Sequence, residues 1–353
     1  MSNATVATRP DHSFHRVTVS EVVVETHEAR SFVLQVPSDL RPKFEYLAGQ
    51  FCTFRVAIDG ATLLRCYSMS SAPGVDDAPA VTVKRVPGGA VSNWLIDHVE
   101  PGSELDVTLP AGRFVLTETD ADLVAFAAGS GITPIMSLAR AALANTDRRV
   151  RVLYANRDPD NTIFLRELDR LASASNGRLS VTHRWDIDHG FTDAAAVDAF
   201  LRDTAPSAEH YVCGPPAFMD IVESTLLAAG VDGDRIHVER FATPPGNDGA
   251  DAADIDAEQE CPTSIVIDVD GRVGKADHRP GTTILQTARQ LGLDPPYSCE
   301  SGSCATCMAR LLDGSVEMLV NDALTDEEVA DGFVLTCQSV PTSPTVHVVY
   351  GFD

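Results

Sequence analysis

Residues 299–307 read CESGSCATC, three cysteines spaced C-x4-C-x2-C with small or polar residues between them, and Cys337 follows thirty positions after Cys307. Thiols in such a pattern can cross-link, bind zinc, or cage an iron–sulfur cluster. Disulfide frameworks belong to oxidising compartments, and the amino terminus MSNATVATRPDHS lacks the apolar stretch of a secretory signal. Zinc is the stronger competitor, since four thiolates suit a tetrahedral ion. Structural zinc sites usually pair two short cysteine knuckles, however, and only one side is paired here. Three close cysteines followed by a distant fourth is the plant-type [2Fe–2S] spacing. The intervening Ser, Gly and Ala let the backbone come near a cluster and aim N–H groups at its sulfurs. Cys299, Cys304, Cys307 and Cys337 are the expected ligands, which leaves Cys52, Cys66, Cys213 and Cys261 over.

Four other stretches carry residues fit for chemistry. AAGSGITP (127–134) follows a buried apolar run and opens a helical one, the context a dinucleotide-binding loop needs. Gly129 and Gly131 permit a tight turn and close approach to a pyrophosphate, Thr133 can cap the helix, and Pro134 suits its first turn. A plain strand–helix turn would read the same way. RCYSMS (65–70) groups Arg65 for a phosphate, Tyr67 for stacking on a flat ring, and the Ser68 hydroxyl for a ring nitrogen; an ordinary strand is the alternative. PGGAVSN (87–93) sets Ser92 at the start of a helix, a second phosphate cradle. VCGPP (212–216) puts the Cys213 thiol at a strand end, where parallel sheets bind ligands; an inert buried thiol is the other reading.

The elements that must position these residues fall into three groups. Up to about residue 117, β-branched runs such as HRVTVSEVVVET, QFCTFRVAI and AVTVKRV are broken by Gly, Pro and Asp, which predicts an antiparallel barrel or sandwich with one short helix, SNWLIDHV. From about 121, strands (DLVAFAA, RVRVLYA, LSVTHRW, HYVCG) alternate with helical stretches, which predicts βαβ units on a parallel sheet. Residues 263–353 read as a small α+β unit, with the helix TILQTARQLG before the cysteine loop. The expected domains are 14–117, 118–241 and 263–353. A flexible tail spans 1–13, and the Pro-, Gly- and Asp-rich stretch 242–262 forms a linker.

With 353 residues and 44% hydrophobic content, the chain has material for two or three cores. Its formal charge is −24, and residues 242–353 hold 19 Asp and Glu against 5 Lys and Arg. That surface repels phosphate backbones and anionic lipid, which argues against nucleic-acid and membrane roles. It either steers a basic partner or simply aids solubility. The longest apolar runs are too short to span a bilayer, so the expected location is the cytoplasm.

Taken in order, RCYS, GGAVSNWL, AGSGITPI, YANRD, CGP and ERF resemble the ferredoxin–NADP reductase superfamily. The appended plant-type ferredoxin resembles its oxygenase-reductase members, above all those serving 3-ketosteroid 9α-hydroxylases, with phenylacetyl-CoA epoxidase reductases close by. The resemblance covers Phe14 to the end. It implies an antiparallel β-barrel flavin domain, an α/β nucleotide domain and a β-grasp [2Fe–2S] domain. It further implies that Arg65, Cys66, Tyr67 and Ser68 hold FAD, that Val83, Lys84 and Arg85 border the flavin, and that Gly89, Ala90, Val91 and Ser92 cradle its pyrophosphate. Gly129, Ser130, Gly131, Thr133 and Pro134, with Cys213, Gly214 and Pro215, would bind the nicotinamide nucleotide, and Phe241 would pack near the flavin. Ser68 and Cys213 would orient the two reacting rings. The implied route runs from NADH through FAD and the cluster to a terminal oxygenase of Rieske type, with the reductase a monomer. Plant-type clusters lie near about −400 mV, so delivery to a Rieske centre is downhill. Asn156 and Arg157, ending YANRD, are the expected nucleotide discriminators; Arg157 could accept the 2′-phosphate of NADPH, but the steroid-hydroxylase reductases as a group favour NADH. Glu300 and Ala305 depart from the family, where Arg and Gly are common. A redox-sensing regulatory protein on the same folds is the competing reading from another class.

Overall fold

The computed structural model describes residues 13–241, 264–277, 281–297, 299–300, 302, 304–321 and 323–351. The expected linker at 242–262, Cys261 and the tail up to residue 12 lie outside the described residues.

The first unit is a six-stranded antiparallel sheet ordered β4-β3-β6-β1-β2-β5. Its members are β1 (His15–Thr26), β2 (Ala29–Gln35), β3 (Phe51–Ile58), β4 (Ala61–Ser68), β5 (Ala80–Lys84) and β6 (Glu104–Val107), with helix α1 (Ala90–His98) between the last two. Alternating side chains such as Phe32, Leu34, Phe54 and Val107 face one buried core. Two register shifts between β1 and β2 coil the sheet. A bridge between Met69 and Val81, with the Ser70 N–H donating to the Ala80 carbonyl at 2.8 Å, ties the end of β4 to β5. The sheet thus closes on itself, which decides for the barrel over the sandwich. Strand β6 carries only four residues and two acids, too little for an alternation to be read in advance.

The second unit is a parallel sheet ordered β11-β10-β7-β8-β9. Chain order runs β7 (Leu123–Ala128), α2 (Ile132–Asn145), β8 (Val150–Asn156), α3 (Leu165–Ala174), β9 (Leu179–Trp185), α4 (Asp186–His189), α5 (Ala194–Leu201), β10 (Glu209–Cys213), α6 (Pro216–Ala228) and β11 (Ile236–Glu239). All six residues of β7 are buried. Ala125 and Ala127 join the core on one face, while Val124 and Phe126 join that on the other, as a sheet covered on both sides requires. The order reverses between β7 and β10, so the loops leaving these two strands diverge to opposite faces and leave a crevice. Ser137 on α2 joins this unit to the barrel: its hydroxyl donates to the Ser71 carbonyl at 2.5 Å and accepts from the Gly49 N–H at 3.2 Å. Arg140 pairs Asp76 at 2.8 Å alongside. A Cβ on Gly49, whose φ is +95°, would fall 2.1 Å from the Phe114 carbonyl oxygen, so only glycine fits this junction.

The third unit comprises β12 (Ser264–Val269), β13 (Arg272–Ala276), α7 (Ile284–Gln290), β14 (Met308–Asp313), β15 (Val316–Met318), α8 (Asp326–Ala330), β16 (Phe333–Leu335), β17 (Ser339–Pro341) and β18 (Thr345–Tyr350). Its mixed sheet is ordered β13-β12-β18-β14-β16, with β12 and β18 parallel. Helix α7 starts in a capping box, Thr283 and Gln286 each satisfying the other's backbone N–H, and buries Ile284 and Ala288 against the sheet. The cysteine loop lies between α7 and β14, and Cys337 lies just past β16.

Candidate active site

A cleft of about 710 Å³ opens along the end of β4. Its floor is Arg65, Cys66, Tyr67 and Ser68; Thr82 and Lys84 line one wall, and Gly89, Ala90, Val91 and Ser92 another. Ser130, Thr133 and Phe241 of the nucleotide unit complete it. Most residues expected at the flavin therefore converge, although they come from four elements. Val83 and Arg85 do not send side chains there. The pleat turns Val83 into the barrel core, and Arg85 reaches away to Asp97. Of this trio only Lys84 faces the cleft. Burial lowers its ammonium pKa, and the nearby Glu28 carboxylate opposes that.

The cleft suits a dinucleotide flavin. Helix α1 begins at Gly89 with no side chain capping its first N–H groups, so those donors point free at the cradle. A Cβ on Gly89 would sit 2.8 Å from the Ser92 oxygen and 3.0 Å from the Val86 Cβ, which keeps the approach open only for glycine. Tyr67 is held edge-on by Phe54, ring centres 5.3 Å apart at 85°.

The glycine loop 129–131 forms a 3₁₀ turn, with Gly129 at φ +54°. Gly131 answers a different need from the one its motif suggests. A Cβ there would lie 2.1 Å from the Cys213 carbonyl oxygen, so it allows the β7 and β10 loops to pack against each other. Thr133 does not cap α2; its hydroxyl donates back to the Ser130 carbonyl at 3.0 Å. Pro134 is buried within the first turn of α2. Gly214 packs against Ala128 and Phe218, and Pro215 precedes α6 as its N-cap.

Where the two units meet, Ser68 donates to the Glu239 carboxyl at 3.1 Å, and Glu239 pairs Cys213 across the parallel β10–β11 ladder. Glu239 is half-buried by surface area, yet so densely surrounded that burial pushes its carboxyl up to about 8. It is a neutral acid at pH 7. Burial likewise raises the Cys213 thiol, with Glu239 adding to the effect, which keeps it protonated rather than nucleophilic. Sequence reasoning missed Glu239. Only its register opposite Cys213 marks it, and that needs the strand order.

Asn156 and Arg157 stand at the end of β8, on the rim rather than in the cleft. Arg157 pairs Glu28 of the barrel at 3.2 Å and donates to Asn161 at 3.3 Å.

The cysteines stand in two pairs. The Cys299 N–H approaches the Cys304 sulfur at 3.5 Å and their side chains hydrogen-bond, while Cys307 hydrogen-bonds Cys337. Among the described residues, no three Cys, His, Asp or Glu side chains gather around one ion-sized point. Two thiol pairs are the donor set of a binuclear centre, so the residues present fit [2Fe–2S]. The loop also lies against β4: Cys304 hydrogen-bonds Cys66, and Glu300, 3.5 Å from Arg289, lies within the field of Arg65.

Residues 16–116 match the oxidoreductase FAD-binding domain, 126–224 the oxidoreductase NAD-binding domain, and 267–342 the 2Fe-2S iron-sulfur cluster binding domain. The chain is 39% identical to the ferredoxin reductase component of 3-ketosteroid-9-alpha-monooxygenase from Rhodococcus rhodochrous, across 95% of this chain and 96% of that one. It is 35% identical to the reductase subunit of glycine betaine monooxygenase from Pseudomonas aeruginosa (94% of each) and 33% to one subunit of 1,2-phenylacetyl-CoA epoxidase from Escherichia coli (97% and 98%). Phthalate dioxygenase reductase, described as a modular structure for electron transfer from pyridine nucleotides to [2Fe–2S], superposes at TM-score 0.58 and 25% identity, covering 96% of this chain and 98% of that one. The chain therefore belongs to the ferredoxin–NADP reductase superfamily, as an oxidoreductase component of oxygenase systems that carries FAD-, NAD- and [2Fe–2S]-binding domains in one polypeptide.

Proposed function

We propose that this chain takes reducing equivalents from NADH and passes them singly to the Rieske oxygenase component of a 3-ketosteroid 9α-hydroxylase-type system. The observation that carries this reading is the position of β4, whose Ser68 touches the nucleotide unit and whose Cys66 touches the cysteine loop. One short strand thus adjoins both the entry and the exit of electrons. Bound FAD and a [2Fe–2S] centre supply the redox chemistry, hydride acceptance at one and single-electron transfer at the other. The chain's own residues bind and orient. Arg65, Tyr67 and the α1 cradle hold the flavin; Ser68 and Glu239 fix its reactive edge; the loops at 129–134 and 213–215 present the nicotinamide; Cys299 and Cys304 hold one iron, Cys307 and Cys337 the other.

NADH is favoured over NADPH in this reading because Arg157, the one cation expected to take a 2′-phosphate, already pairs Glu28 and Asn161 and is flanked by Asp158 and Asp186. The steroid system is supported by the 39% identity across nearly the whole length of both chains. A cytoplasmic monomer fits the free thiols and the lack, among the described residues, of any helix long and apolar enough to cross a membrane.

The test is reconstitution. Flavin- and iron-loaded protein is mixed with candidate oxygenases and scored by product, with NADH-dependent reduction of cytochrome c as the control. Steroid hydroxylation coupled to NADH is the expected result. Reduction of cytochrome c without coupling to a steroid oxygenase would reassign the partner, and no reduction at all would favour a sensor.

A further inference from the structure

Cys66 occupies a strand position between Arg65 and Tyr67 where any small side chain would continue β4. Its sulfur is nevertheless held from two sides. The Thr53 hydroxyl lies 3.3 Å away on the neighbouring strand, and across the domain boundary the thiol hydrogen-bonds Cys304. The contact is part of a seam, since Arg65 feels Glu300 and Glu239 feels Cys299 at the same boundary. A cysteine that ligates iron does so as thiolate. Once Cys304 has given up its proton, Cys66 is the only member of the pair with a hydrogen to donate, so the direction of the bond is fixed. A donor aimed at a ligand sulfur stabilises the added negative charge of a reduced centre and thereby raises its potential.

We propose that Cys66 is a positioning residue for electron transfer, donating an S–H···S hydrogen bond from the flavin-binding strand to Cys304, which raises the cluster potential and seats the Cys299–Cys304 iron against the flavin site. No bond is made or broken at Cys66, and its oxidation state does not change. The inference rests on the assignment of Cys304 as a ligand, made above.

The experiment uses full-length holoprotein. Redox titration of the cluster, followed by its electron paramagnetic resonance signal, is run on wild type, Cys66→Ala and Cys66→Ser. In Cys66→Ala the equilibrium constant for cluster reduction should fall about three- to tenfold, the full tenfold being a ~59 mV shift to more negative potential. The g-value spread of the reduced signal should change with it. Cys66→Ser keeps a donor and should recover at least half the shift. A Cys66→Ala midpoint and spectrum matching wild type would overturn the proposal. Should that variant fail to load iron, Thr53→Val serves: loosening the thiol should shift the midpoint in the same direction, and an unmoved midpoint counts against the role. Wild-type protein with no [2Fe–2S] signal would instead strike the ligand assignment, and this inference with it.

Discussion

Arg157 is the residue on which nucleotide choice turns, and its pairing with Glu28 makes the choice testable. Glu28→Ala should free the guanidinium for a 2′-phosphate. An exposed pair of this kind is worth about 0.2–1 kcal/mol, so kcat/KM for NADPH should rise about two- to fivefold while that for NADH changes little. Ser68 offers a second test. Removing its hydroxyl in Ser68→Ala loses one hydrogen bond, roughly 0.5–1.5 kcal/mol, and stopped-flow bleaching of the flavin by NADH should slow about two- to tenfold. At this scale the sequence was legible where chemistry is local. The RCYS stretch, the GGAVS turn and the cysteine spacing each carry their meaning within a few positions. Glu239 did not, because it reaches Ser68 across 171 positions and joins Cys213 only through strand pairing.

Strands and helices were legible in proportion to their length. LSVTHRW and HRVTVSEVVVET coincide with β9 and β1, because seven to twelve residues give an alternation or an apolar run room to show. The three-residue strands β15 and β17 and the five-residue α8 leave no period to detect. Loop glycines were recognised, yet the role of Gly131 was misread, since the motif says where a turn falls and nothing about which loop crosses it. Gly131→Ala should destabilise the nucleotide unit by about 1–3 kcal/mol through its collision with the Cys213 carbonyl, seen as a lower denaturation midpoint. The KM for NADH should rise with it, whereas dithionite-reduced protein should still reduce cytochrome c.

For the whole molecule, the order of the three domains was legible from composition and period, and their contacts were not. Gly49 with Ser137, Arg140 with Asp76, and Cys66 with Cys304 are single residues in ordinary settings. Global stability has its own pH signature. Burial pushes the His210 imidazole down from an ordinary 6.5 to about 4, against a weaker opposite pull from its hydrogen bond near Arg235 and from Glu209. Between those values the unfolded chain takes up a proton that the native chain refuses, so stability falls as pH drops through that window. The loss should be on the order of 2–3 kcal/mol, measured as denaturation midpoints from pH 7 to pH 4. His210→Gln should flatten that slope. The 19 acids among residues 242–353 predict that coupling to a basic partner weakens as salt rises; a salt-independent rate would leave the acidic surface with solubility as its only role.

Within the loop that carries three thiols, Glu300 and Ala305 sit at φ of +50° and +54°, a conformation that costs an ordinary residue about 1–2 kcal/mol. Such a loop is like a bent spring, kept in shape by what it clasps. Chelation should therefore do more than bleach the brown colour: the emptied segment should become open to proteases, and iron loss on warm storage should set the preparation's shelf life before the barrel melts.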